Sequence, residues 1–341
     1  MIMPVATPPK PTPSAQRGPK ARLVRFLGWQ GFEVETPEDW ELTGYSGTFD
    51  EGYFRADDGD ALGLEVKWST PKGRAAATVD LSARRDAYLS SLRKAARRRK
   101  VEFDEAEGAV PKGLDRDDRT AVGFSWSADR KANGALWRCA TCGRVVMAQV
   151  LGEPSGRKGF AGVSQAVLAG LNCHGADPAW RRWSLYGLDA WAPSEYALLS
   201  AQLMNVYLRL TFERGTARLS VEQWSAADAA RGGRWLDQWL SDNSRGELAK
   251  ARTVSEESQV HGHPAVRLAG GLAVGMPMLE AVREASALRA PATRYHGVGW
   301  ECVESNTVHL VQSLRAPRVM DPVPAVVERL RCHPAVAGGA E

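Results

Sequence analysis

Gly31-Phe32-Glu33-Val34-Glu35-Thr36-Pro37-Glu38-Asp39-Trp40-Glu41-Leu42 reads as Gly, apolar, x, apolar, x, x, Pro, x, acidic, aromatic, x, Leu. The same reading fits Gly187-Leu188-Asp189-Ala190-Trp191-Ala192-Pro193-Ser194-Glu195-Tyr196-Ala197-Leu198, which begins 156 residues later. Alternation over 31–35, broken at Pro37, predicts a strand and then a turn. Working outward, Trp68-Ser69 and Trp224-Ser225 keep the same offset. Trp137-Arg138-Cys139 matches Trp300-Glu301-Cys302, and Gln149 matches Gln312, both at 163. Leu171-Asn172-Cys173-His174 matches Leu330-Arg331-Cys332-His333 at 159. An ordered series with two rare Cys-His dipeptides reads as one module present twice, its offsets drifting with loop length.

Within the first module, Leu81, Tyr88, Leu89, Leu92 and Ala96 share a face at helical spacing and predict a long helix over 79–100. Strands are expected at Tyr53-Phe54, Leu62 to Trp68, 120–126, 135–139 and Arg144 to Leu151. A closing helix over 161–172 carries Val163, Val167 and Leu171 on one face. Val323, Val326, Val327 and Leu330 repeat that face in the second module. The expected fold class is therefore α+β: two tandem modules, each an antiparallel sheet covered by helices. The modules run over 23–178 and 181–335. A disordered Pro-rich leader over 1–22 precedes them, and a flexible tail over 336–341 follows.

The opening Gly-Phe-x-Val-x-x-Pro-x-Asp-Trp at 31–40, then a strand meander, a long helix, a strand hairpin and a closing helix, resembles the PsbP-like fold. That family includes the extrinsic photosystem II protein, a Ran-GTPase-binding protein and many bacterial proteins without assigned activity. The resemblance spans 23–176 and 181–335. It implies a binding or accessory domain more often than an enzyme. The family shares no catalytic motif, and the paired Cys-His features lie outside its general pattern.

Composition narrows the classes. The 341 residues are 44% apolar and 25% charged, which excludes a disordered chain, a collagen-like fibre and a small disulfide scaffold. A net charge of +4 does not by itself imply nucleic acid. Twelve tryptophans point to well-filled, β-rich cores. No run approaches the ~18 apolar residues of a membrane span, so no membrane insertion is expected. The first twenty residues hold six prolines and no apolar segment, unlike a signal peptide. A cytoplasmic setting is then the expectation, in which five cysteines read as thiols or metal ligands rather than disulfides.

Cys139-Ala140-Thr141-Cys142-Gly143 sits between two expected strands, where a hairpin turn points both thiols one way. The closing helix then delivers Cys173 and His174 to the same place. Cys139, Cys142, Cys173 and His174 are thus the candidate metal ligands, for a structural zinc ion. Packed thiols and disulfides are the other two readings of these cysteines. A nucleophilic Cys173 is disfavoured, because a helix C-terminus raises a thiol's pKa. In the second module Ser305 stands where Cys142 would, leaving Cys302, Cys332 and His333. His261-Gly262-His263 places two imidazoles on one side of a possible strand, a weak metal signal, but Pro264 follows directly and the preferred reading is a turn into a strand at Ala265-Val266.

Arg93 to Lys100 is the strongest charge run, read as a solvated helix face or, alternatively, a grip on nucleic-acid phosphates. Gly152 to Gly159 lacks a phosphate loop's Gly-Lys-Ser/Thr ending and reads as a strand-to-helix loop. The expected function is a non-catalytic binding or accessory protein whose partner is protein. The alternative is an enzyme or redox protein using the Cys/His cluster.

Overall fold

The computed structural model describes residues 23–333, apart from 61, 74–78, 155–158, 244–250 and 273–292. The expected leader and tail, and part of the 152–159 loop, lie outside the described residues.

The alternating stretch that opens the chain is the second strand of a hairpin. Strands β1 (Leu23–Trp29) and β2 (Phe32–Pro37) are joined by Gln30 and Gly31 at φ 50° and 83°. Two successive positive φ values match the right-handed twist of the flanking strands, and glycine supplies the second without a Cβ clash. Next come β3 (Glu41–Gly47), β4 (Glu51–Asp57), β5 (Gly63–Ser69), helix α1 (Leu81–Arg99), β6 (Asp104–Ala106), β7 (Arg119–Ser127), β8 (Lys131–Cys139), β9 (Val145–Gly152) and helix α2 (Phe160–Gly170). The seven strands from β3 on form an antiparallel sheet in the order β3-β4-β5-β9-β8-β7-β6.

The second half starts with β10 (Trp180–Leu185) and β11 (Leu188–Pro193), joined by Tyr186 and Gly187 at φ 49° and 84°. It continues through β12 (Ala197–Met204), β13 (Tyr207–Arg214), β14 (Ala217–Ser225), α3 (Ala227–Arg231), α4 (Leu236–Asn243), β15 (Ala251–Val260), β16 (His263–Leu272), β17 (Arg294–Cys302), β18 (Thr307–Arg315) and α5 (Val323–Arg329). Its seven-stranded sheet runs β12-β13-β14-β18-β17-β16-β15, also antiparallel. The two opening hairpins meet through β1 and β10, where Gly28 lies opposite Ser184, and so make a four-stranded sheet β11-β10-β1-β2 between the halves.

These sheets overturn the expected helix-covered α+β class. Of the described residues, 51% are strand and 18% helix, with three antiparallel sheets and few helices. The long helix forms where expected: Asp80 caps it through the Ala83 N–H at 2.9 Å, and Lys100 ends it in a left-handed conformation. Yet it buries only Leu89 and Ala96 and covers a small cluster with Phe124 and Leu136. Helix α2 has 11 residues and α5 only 7, too short to roof seven strands. The β15–β16 hairpin and the opening strands β1 and β10 account for much of the strand that the apolar pattern did not display.

One apolar cluster runs through both halves. It joins Trp29, Phe32, Trp40, Phe54 and Trp137 of the first to Trp183, Phe212, Trp300 and Val326 of the second. Trp29 and Trp183 meet edge to face at 5.3 Å between centroids across the central sheet. Among the described residues no helix is long and apolar enough to cross a membrane.

Candidate metal centres

The decisive stretch also positions the cysteines. After α2 the chain turns extended at Leu171, and Asn172 exchanges two backbone hydrogen bonds with Glu33 of β2, at 3.0 and 2.8 Å. That bridge sets the next two residues, Cys173 and His174, against the β8–β9 turn. In the second half Arg331, after α5, donates to the Asp189 carbonyl of β11 at 2.9 Å. Cys332 and His333 follow, against the β17–β18 turn.

All four expected ligands in the first half come together. One donor atom from each of Cys139, Cys142, Cys173 and His174 lies within 4.8 Å of every other. The Cys142 and Cys173 sulfurs are 3.6 Å apart, and His174 Nδ1 lies 3.6 Å from both Cys139 Sγ and Cys173 Sγ. With Zn–S near ~2.3 Å and Zn–N near ~2.0 Å, the edges of a tetrahedron are about 3.8 Å between sulfurs and about 3.5 Å from sulfur to nitrogen. The spacing is therefore that of a ligand shell. All five cysteines are free thiols. The turn has a metal knuckle's shape: Gly143 adopts φ 71°, and the Cys142 N–H points at Cys139 Sγ, 3.5 Å away.

Electrostatics shapes this cluster. Cys139 is the most acidic thiol, because the Cys142 and Cys173 thiols and nearby backbone N–H groups donate to it. Cys173 is pushed far up by the Cys139 and Cys142 sulfurs and by burial. Without a cation among them, three such close thiols cannot all ionise. Asp118 stands behind the cluster, its carboxylate 3.6 Å from Cys139 Sγ and 3.9 Å from His174 Nε2. Arg144, fully buried, donates to the carbonyls of Cys173 (3.0 Å), Gln30 (2.8 Å) and Phe49. Burial brings its pKa down to about 10, partly offset by Cys142 and Cys173. Arg119 and Arg116 donate to the Leu171 and Ala169 carbonyls at 3.1 Å, satisfying the C-terminus of α2.

The second half holds a set that the sequence reading left incomplete. His263, the first residue of β16, joins Cys302, Cys332 and His333, again with donor atoms within 4.8 Å of one another. His333 Nδ1 lies 3.3 Å from both sulfurs, and His263 Nε2 lies 3.5 Å from Cys332 Sγ. His261 and Gly262 form the β15–β16 turn at φ 51° and 83°. His261 points elsewhere, to the Val327 carbonyl at 2.8 Å. The available signal was His263 itself, whose link to Cys302 depends on how β16 registers on β17.

The basic run occupies the C-terminal half of α1. There Arg93 pairs with Glu105, and Arg99 with Asp129 at 2.5 Å. A cleft of about 730 Å³ opens beside the second cluster, lined in part by Trp191, His261, Arg331 and His333.

No family model matches the chain, and no curated protein does. Among solved structures it is similar to the apo form of immunity protein TplEi of T6SS from Pseudomonas aeruginosa. The identity is 10% and the TM-score 0.34, covering 90% of this chain and 96% of that one. It is also similar to that immunity protein complexed with "L" peptide, at 13% identity and a TM-score of 0.30, covering 92% and 100%.

Proposed function

We propose that the chain is a non-catalytic binding or accessory protein made of two copies of one folding unit, the first braced by a structural zinc ion on Cys139, Cys142, Cys173 and His174. The observation that carries this reading is the donor set. Four protein side chains at tetrahedral spacing leave no open coordination position, which is the arrangement of structural rather than catalytic zinc. Thiolate-rich donors favour zinc over magnesium, calcium or manganese. Burial agrees: Cys139 and Cys173 are 0% exposed. Arg144 supports the ionised form, since three thiolates with Zn²⁺ carry one net negative charge beside its buried guanidinium.

Support for two copies comes from the contacts between the halves. Gly28 pairs with Ser184, and Tyr45 Oη donates to the Ala201 carbonyl at 3.3 Å. Each is a residue meeting its own counterpart at the 156-residue offset, as happens along the two-fold axis of a dimer. For a protein partner, β12 is the terminal strand of its sheet, and Leu199 and Met204 stand exposed on it.

Metal analysis of protein purified without chelator tests the zinc. Cys142→Ser is expected to lower the bound zinc by about one equivalent. Less than a tenth of an equivalent in the unaltered protein overturns the reading. Thiol labelling of the native protein is expected to be slow until a chelator is added. Rapid labelling beforehand favours an open, reactive cluster instead.

A further inference from the structure

We propose that His263, Cys302, Cys332 and His333 form a second zinc site, in which the ligand lost from the hairpin turn is supplied by the neighbouring strand. In the first module the turn itself provides the second cysteine, Cys142. In the second module Ser305 holds that turn position, and its hydroxyl is engaged with Thr307 at 2.6 Å. The replacement comes from the side. Arg119 of β7 lies opposite Cys139 of β8. On the other sheet, Ala265 of β16 lies opposite Trp300 of β17. Two residues further along that antiparallel ladder, His263 comes opposite Cys302. His263 therefore occupies the place that Arg119 fills in the first module, and the imidazole enters where a guanidinium would stand.

Charge follows the donors. Three thiolates and one imidazole around Zn²⁺ carry one negative charge, and Arg144 lies buried beside them. Two thiolates and two imidazoles around Zn²⁺ are neutral. At the position matching Arg144, 163 residues on, the second module has Thr307. Both cations that flank the first cluster, Arg119 and Arg144, are thus replaced by uncharged or ligating residues at the second. Plain packing of a remnant gives no reason for that pairing of changes.

The orientation of His263 also suits a ligand. Nε2 faces Cys332 while Nδ1 faces the Glu304 carboxylate at 3.6 Å, the carboxylate–histidine support typical of zinc-bound imidazoles. Its counterpart in the first site is Asp118 behind His174. The distances from sulfur to nitrogen, 3.3 to 3.5 Å, match a tetrahedron's edges.

Native mass spectrometry of the full chain, purified without chelator and given zinc, is expected to find two ions. Cys142→Ser and His263→Ala should each leave one. Cobalt substitution separates the sites: the thiolate charge-transfer band lost with Cys142→Ser should exceed that lost with His263→Ala, in keeping with three thiolates against two. Combining His263→Ala with Ser305→Cys should restore the second ion, because it rebuilds the first module's turn. A single ion that Cys142→Ser removes, or two ions retained by His263→Ala, overturns the second site. A single ion that only His263→Ala removes supports it and instead defeats the zinc reading of the first cluster. If His263→Ala does not fold, the double variant decides: two ions support the proposal, and one overturns it.

Discussion

Arg144 shows how much one side chain holds in place. Its guanidinium ties together the chain after α2, the β1–β2 turn and the loop after β3, and it stacks over Phe49 at 3.9 Å and Phe32 at 4.8 Å. Arg144→Met keeps much of the bulk but leaves three carbonyls without their donor. A buried polar group stranded in this way costs about 1–3 kcal/mol, so a loss of about 3 kcal/mol or more is expected in denaturant unfolding. A loss under about 1 kcal/mol would mean that water replaces the arginine. That Cys139, Cys142, Cys173 and His174 come together was legible in the chain itself, because a Cys-x-x-Cys hairpin and the end of a following helix are local features. His263 was not, since nothing short of the β16–β17 register tells which of two histidines around a turn faces inward.

Among the elements, α5 is the shortest to carry a metal-cluster segment, and a single carboxylate anchors its start. Asp321 accepts from His296 Nδ1 at 2.6 Å and the Val323 N–H at 3.1 Å, and pairs with Arg315 at 3.0 Å. Burial works to raise its pKa, but these donors win and hold it well below the usual carboxylate range. A folded pKa below the unfolded value of about 4 gives stability that is present above pH ~4 and lost as the pH falls through and below that value. Melting temperature should therefore fall steeply in acid, and Asp321→Asn should lower it at pH 7 while flattening that acid limb. An unchanged acid limb in the variant would assign acid sensitivity to other groups. Helical periodicity correctly located α1, α2 and α5, yet it overstated them as a layer. Apolar spacing reports which face is buried but not how much sheet that face can cover.

At the scale of the molecule, the joint is a backbone-to-backbone contact. A Cβ on Gly28 would come within 2.9 Å of the Arg182 carbonyl oxygen, so any side chain there pushes β1 away from β10. The pairing of β1 with β10 makes the halves unfold together, and calorimetry of the unaltered protein should show one transition. Gly28→Val is expected to split it in two. A single transition at the original temperature would show that the core, not the central sheet, couples them. The chain by itself determined the strand that follows Gly31, the recurrence of its motifs and the Cys-x-x-Cys and Cys-His pairs, because each depends on neighbours within a turn or two. Only the tertiary structure decided that strands outweigh helices, that one apolar cluster runs through both halves, and that His263 joins the second cluster. Strand register and sheet closure bring together residues tens of positions apart, and local spacing carries no record of that pairing.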